Sequence, residues 1–358
     1  MKPAEFSTRL LDWYVKHGRS LPWRGSPDPY AVLVSEYMAQ QTRVETVIPY
    51  YLRWMEQFPT LQALAVAPLD AVLKAWEGLG YYARAHNLHR AARVVMTEYA
   101  GILPSNMEDL RRLPGVGDYT AAAVASLAFG ADQAALDGNL RRVLARVTAL
   151  PLDPRTPQGQ RQLTDYARGL LPPGRAGDFN QALMDLSSLV CLPKKPRCSE
   201  CPLTDFCRAY QENRQADFPV KVKKAPVPTI TVTAGVLRRG DAVLLTRRPA
   251  NGLLGGMWEF PGGKQEPGET LPECLVRELR EELDIEVSVG KEVGIFRHAY
   301  SHFKVVLHAF ECQIVSGLPR PLASDSLEWV PVERLEEYAM GKIDRMIAGE
   351  ITGKDSPA

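Results

Sequence analysis

Residues Leu113 to Gly130 read LPGVGDYTAAAVASLAFG. Gly115 and Gly117 allow a tight turn, and the alanine-rich run behind them reads as a helix. Glycines ahead of a helix also leave backbone N–H groups free to face an anion. An ordinary helix–helix connection would look the same, so the pair gains meaning from its surroundings. To the N-terminal side, Asp28-Pro29 is a helix-start signal, and apolar residues at helical spacing predict a helix over Tyr30–Thr42. Ala- and Leu-rich segments predict further helices at 61–76, 138–149 and 179–191, with turns at Gly78–Gly80 and Pro172–Gly177. Residues 1–210 therefore read as an all-α domain.

Beyond them the character changes. Residues 211–228, QENRQADFPVKVKKAPVP, have the polar, proline-rich composition of a linker. Short β-branched runs at Thr229–Leu237 and Asp241–Thr246, a helix over Leu271–Leu283 and a strand over Lys304–Val315 predict an α+β domain over 229–358. A chain of 358 residues, 45% hydrophobic and 24% charged, supports two such soluble domains. Residues 1–225 carry 28 Lys+Arg against 22 Asp+Glu, whereas 226–358 carry 15 against 20. The asymmetry points to a polyanion partner for the first half. The apolar run Tyr119–Ala131 is too short to span a bilayer, and the N-terminus shows Lys2, Glu5 and Arg9 with no apolar core of a signal peptide. The expected location is the cytoplasm, with no membrane partner.

Three constellations carry chemistry. Cys191, Cys198, Cys201 and Cys207 crowd into one short segment, which in a reducing compartment reads as a metal site. A zinc site and an iron–sulfur site both accept four thiolates, and spacing leaves both open. Lys194, Lys195 and Arg197 within the loop suit phosphate contact or simple solvation. Glu36 is the one charged residue between Asp28 and Arg43, with Val32, Leu33, Ala39 and Gln40 as its helical neighbours. An acid so placed is expected to hold its proton more tightly, unless it reaches water at the helix edge. Asp137, in Leu136-Asp137-Gly138-Asn139, reads as an N-cap, where a helix N-terminus favours a carboxylate. One neutral acid and one anion are what glycosidic bond cleavage needs.

These pieces resemble one family. SLPWRGSPDPYAVLVSEYMAQQTRVETVIPYY, GLGYYARAHNL, LPGVGDYTAAAVASLAFG, LDGNLRRVLARV, FNQALMDLSSLVC and the four cysteines occur in the order of the MutY-type adenine DNA glycosylases. These belong to the helix-hairpin-helix superfamily that includes endonuclease III. The resemblance covers most of residues 20–207. It implies a multidomain fold, with an all-α helix-hairpin-helix domain over 1–210 and a [4Fe-4S] cluster on the four cysteines of loop 191–207. It makes Gly115 and Gly117 the phosphate-gripping hairpin, Glu36 the acid that protonates adenine, and Asp137 the counter-ion of the sugar cation. Tyr119 and Asn139 would shape that pocket, Arg24 and Gln181 would line the adenine site, and Gln41 and Tyr81 would wedge into the base stack. Strand-cutting relatives place a lysine where this chain has Tyr119, so a monofunctional enzyme acting as a monomer on double-stranded DNA is expected.

The second half resembles this family's Nudix-like domain. Tyr300, Ser301 and His302, within FRHAYSHF, resemble the loop that reads 8-oxoguanine opposite adenine. Oxidation turns N7 of guanine from acceptor to donor, which polar side chains can sense, so A:8-oxoG or A:G mispairs are the expected substrates. Gly263-x5-Glu269-x7-Arg277-Glu278-Leu279-x-Glu281-Glu282-x-Asp284-Ile285 also matches the Nudix box, with Asp284 where the motif has glycine. Glu278, Glu281 and Glu282 share a helix face, which suits either Mg²⁺ binding or a solvated helix paired with Arg277 and Arg280.

Overall fold

The computed structural model describes residues 2–25, 28–222, 226–300 and 302–353. The helical half contains α1 (Pro3–His17), α2 (Pro29–Ala39), α3 (Val44–Gln57), α4 (Leu61–Val66), α5 (Leu69–Trp76), α6 (Ala83–Glu98), α7 (Met107–Arg112), α8 (Asp118–Phe129), α9 (Gly138–Thr148), α10 (Pro157–Arg168), α11 (Ala176–Leu189) and the short α12 (Arg208–Gln211). The expected single helix over 61–76 is two, because Pro68 lacks an amide hydrogen and disfavours helical geometry at Ala67. The start signal at Asp28-Pro29 operates as read: the Asp28 carboxylate accepts from the Tyr30 amide at 3.0 Å.

The chain folds as two compact units, Met1–Val66 with Asn87–Lys224, and Ala67–His86 with Ala225–Ala358. In the first, Phe6 and Leu10 of α1, Leu140 and Leu144 of α9, and Phe179, Leu183 and Leu186 of α11 form the main core. Helices α2 and α8 pack on each other and are buried almost all round. That is the fate of a helix without a polar face. The segment read as a linker is held at its start: buried Arg146 donates through Nε to the carbonyls of Gln215 and Phe218, both at 3.1 Å. The Val222 amide donates to Asp153 at 3.1 Å. Composition reports solvation and misses backbone carbonyls that a buried cation recruits.

In the second unit, β1 (Thr229–Arg239), β2 (Ala242–Arg247), β3 (Trp258–Glu259), β4 (Glu286–Ala299), β5 (Lys304–Ser316) and β6 (Ser326–Pro331) form a mixed sheet. Its order is β3-β2-β1-β5-β4, with β6 on β2 and a parallel β1–β5 pair at the centre. Helix α13 (Leu271–Leu283), opened by a Thr270/Glu273 capping box, covers one face through Leu275, Leu279 and Leu283. Helix α14 (Lys342–Thr352) packs Ile343 and Ile347 on the other face. Antiparallel β4 and β5 meet at Ala299↔Lys304, which places Tyr300 and Phe303 at a sheet end. Among the described residues no helix is long and apolar enough to cross a membrane.

Leu279 is fully buried and its side chain closes on the backbone of Gly235 in β1. Leu279→Ala is expected to destabilise the chain by about 2–5 kcal/mol in urea unfolding.

Candidate active site and cysteine loop

A cavity of about 580 Å³ opens in the first unit, in the size range of ligand pockets. It is lined by Arg24, Glu36, Tyr119, Asp137, Asn139 and Gln181 among others. Six expected site residues, from five places in the sequence, thus converge. Glu36 projects from α2 and is 6% exposed; its Oε2 is buried without a hydrogen-bond partner. Burial pushes its pKa up to about 7, aided by Asp137, while a hydrogen bond with Tyr119 and the charge of Arg24 act the other way. The Tyr119 hydroxyl is driven well above its ordinary value by the same burial and by the two carboxyls.

Asp137 is treated differently by its surroundings. It caps α9, and Oδ1 accepts from the amides of Asn139 (2.8 Å) and Leu140 (2.7 Å). Its Oδ2 accepts from the Asn139 side chain at 3.0 Å. Three donors and the positive end of a helix suit a charged carboxylate. Arg142, on the same helix, donates to Asn139 Oδ1 at 2.7 Å and to the Cys191 carbonyl at 3.2 Å.

Sequence reading missed the support of this pocket. Asp185 of α11 has a fully buried side chain and accepts from the Arg19 amide, from Arg19 Nε, and from both terminal nitrogens of Arg24 at 2.6 and 2.9 Å. Those bonds outweigh burial and hold its carboxyl below the usual range. Tyr14 lies under the Arg24 guanidinium and donates to Gln181 Oε1 at 2.8 Å. The signal was available: Asp185 is the one charged residue between Asp178 and Lys194, the same kind of isolation that marked Glu36.

The hairpin of Leu113–Gly117 closes with the Val116 amide on the Leu113 carbonyl at 3.1 Å. Gly115 has φ +78°, and a Cβ there would strike the Asn87 side chain. Gly117 begins α8 with no side-chain cap. Gln41 (φ +56°) and Tyr81 (φ +48°) are exposed non-glycine residues in left-handed backbone. That strain is common where a side chain must be presented for function. In the second unit Tyr300 is half-buried, with His298 at 4.7 Å and Phe303 at 5.0 Å between ring centres. Burial, with Asp344 and Glu259 adding, raises its pKa to about 12. His302 is exposed, and Ser301 lies outside the described residues.

The four cysteines follow α11. Burial raises the thiols of Cys198, Cys207 and Cys201, the last to about 12, and each also feels Cys191. Buried Arg146 donates to Cys191 Sγ at 3.3 Å and to the Leu192 carbonyl at 2.7 Å. Among the described residues no three Cys, His, Asp or Glu side chains already stand as a closed metal site. Four such cysteines in a partly buried loop nonetheless form the donor set of an iron–sulfur cluster, whose cationic irons would offset the mutual repulsion of their thiolates.

In the Nudix-box segment Arg277 donates to Glu269 (2.7 Å), Glu278 (3.0 Å) and Glu281 (3.3 Å), and Arg280 pairs with Glu286. Glu282 accepts from the Gly262 amide, and burial raises its pKa to about 7. Asp284 takes the left-handed conformation, φ +58°, at the end of α13, as the glycine of the motif would.

Comparison with known proteins agrees along the chain. Residues 34–168 match the family model of the HhH-GPD superfamily base excision DNA repair proteins. Residues 191–207 match the iron-sulfur binding domain of endonuclease III, and 233–349 match a NUDIX domain. The adenine DNA glycosylase of Homo sapiens is 36% identical, over 97% of this chain and 75% of its own length. That of Mus musculus is 37% identical, over 95% and 77%. A thermostable thymine-DNA glycosylase is 33% identical with a TM-score of 0.54, over 58% of this chain and 95% of its own. A trapped endonuclease III–DNA covalent intermediate shares the fold at 22% identity and TM-score 0.51, over 58% and 94%.

Glu36 ties stability to pH. Its pKa is raised on folding from 4.5 to about 7. The folded state therefore loses stability as pH rises through that window, on the order of 3 kcal/mol in full. Glu36→Gln is expected to raise the melting temperature relative to wild type at pH 8, with the gap closing near pH 4.5.

Proposed function

Since the chain belongs to the adenine DNA glycosylase family, it is a DNA glycosylase of base excision repair, and we propose that its target is adenine mispaired with 8-oxoguanine or guanine. The observation that carries the chemistry is the pairing of two unlike carboxyls in one cavity. Glu36 is buried and bonded by Tyr119 with its Oε2 left without a partner, and Asp137 is fastened by three donors.

In the proposed reaction the adenine nucleotide leaves the base stack, at a cost of a few kcal/mol that a mispair lowers. Arg24, held by Asp185, and Gln181, held by Tyr14, line the pocket that receives the base. Protonated Glu36 gives its proton to adenine N7. The bond between N9 and C1′ then breaks, and its electron pair leaves with the base. Asp137 faces the developing oxocarbenium ion, with Tyr119 and Asn139 around it. Water adds to C1′ and returns a proton to Glu36. Tyr119 is no amine, so no Schiff base forms and an abasic site is the product. Gly115 and Gly117 leave amides of α8 for a backbone phosphate, and Gln41 and Tyr81 fill the gap in the stack. Cys191, Cys198, Cys201 and Cys207 hold the [4Fe-4S] cluster, which when bound supplies a structural cross-link that closes the loop. Tyr300, Ser301 and His302 read the opposite base.

The test is excision from duplexes holding A:8-oxoG, A:G, A:C and A:T, followed by alkali. Excision confined to the first two supports the proposal, and equal rates on all four overturn it. Glu36→Gln and Asp137→Asn are each expected to lower the single-turnover rate about a hundredfold or more. Because the acid form of Glu36 is the active one, the wild-type rate should fall as pH rises above about 7. Alanine at Tyr300, Ser301 and His302 should cut the preference for oxidised over ordinary guanine while leaving excision at A:G.

A further inference from the structure

The second unit contains a piece of the helical half, Ala67–His86, and that piece carries Tyr81. We propose that the wedge at Tyr81 and the opposite-base reader at Tyr300 and His302 form one mechanical body, coupled through the Glu77–Arg345 ion pair. The inference rests on the roles proposed above for those two groups.

The wedge loop is held from within. The Arg84 guanidinium is buried and donates to the carbonyls of Leu79 (3.1 Å), Gly80 (2.8 Å) and Tyr81 (3.3 Å). It lies 5.2 Å from the Trp76 ring and 5.4 Å from the Tyr81 ring. Trp76 Nε1 donates to the Gly80 carbonyl, and the Gly78 amide donates to the Tyr82 hydroxyl. The carbonyls of Leu79, Gly80 and Tyr81 and the Gly78 amide are therefore bonded from within, while Tyr81 is 47% exposed.

The same loop is clasped by the sheet unit. Asp70 of α5 pairs with Arg247 of β2 at 2.5 Å. Glu77, the C-cap of α5, pairs with Arg345 of α14 at 2.7 Å, and both side chains are four-fifths buried. Arg345 also donates to the Leu335 and Tyr338 carbonyls. A nitrogen of the His86 ring lies 2.8 Å from the Gly255 carbonyl, and Gly256 sits over Leu69 and Leu73. Arg345 follows Asp344 in α14, and Tyr300 packs on the core cluster that holds Ile343 and Ile347 of the same helix. One turn of α14 thus faces the core beneath Tyr300 through Ile343 and the wedge helix through Arg345. Exposed ion pairs carry little energy, but a mostly buried one leaves a desolvated partner when broken. For that reason Glu77 is the position to test, as a positioning residue that touches no DNA.

The experiment uses the full chain and compares single-turnover excision at A:8-oxoG with excision at A:G. Glu77→Ala is expected to lower the ratio of the two rates about fivefold or more, with the A:G rate held within about twofold. Glu77→Asp should restore most of the ratio. In a Tyr81→Ala background, Glu77→Ala should add no further loss, because its effect runs through the wedge. Iron content and melting temperature of each variant show whether the chain has folded. A folded Glu77→Ala that keeps the full ratio overturns the proposal. So does an equal fall on both substrates, or an additive loss with Tyr81→Ala. A wild type that does not prefer A:8-oxoG sinks the specificity reading itself, and the coupling with it.

Discussion

The exclusion of water around one carboxyl group governs the rest of this molecule. Glu36 is the one charged residue on a largely buried helix; Tyr119 hydrogen-bonds to it, but its Oε2 has no donor. Across the cavity Asp137 meets two amides and an amide side chain. The two groups have nearly the same intrinsic chemistry, and their surroundings set them apart. That separation depends on α2 and α8 lying close together. The small residues Ala121, Ala122, Ala123 and Ala125 permit this, and none is more than 3% exposed. The alanine-rich run that looks like a filler helix is therefore part of the acid's environment.

Much of this was legible in the chain. Isolation of Glu36 among apolar residues signalled burial, and Asp137 before a helical run signalled a cap; both outcomes follow from local rules that need no tertiary knowledge. The limits of α13 and the Asp28 start were read for the same reason. Tertiary provision was not legible. Nothing local in YVKHGRSLPWR announces that Arg19 and Arg24 share one buried carboxylate 160 residues onward, because that bond exists only after α11 has docked. Nor does a proline-rich, basic composition reveal that residues 215 and 218 are gripped by an arginine from α9. The attachment of 67–86 to the sheet unit was hidden too, since a helix carries no mark of the partner that receives its polar face.

The second unit shows how a motif can outlive a single meaning. Its helix keeps the spacing of the Nudix box, and the backbone keeps the left-handed turn with aspartate in the glycine position. The carboxylates are occupied within the fold. Arg277 spans three of them, and Glu282 takes a backbone amide. Such pairing ties the acidic residues to one another's neighbours within α13 and the loop before it.

Gly117 bears on the completeness of the protein by itself. Asp28, Asn106, Asp137 and Thr156 each supply an oxygen to the first turn of the helix that follows, and Gly117 supplies none to α8. The first-turn amides of α8 thus receive no side-chain oxygen from their cap residue. If a DNA phosphate takes that place, nucleic acid finishes the secondary structure of its own receptor. Attachment to the duplex and stiffening of the helix beside the acid then become a single event.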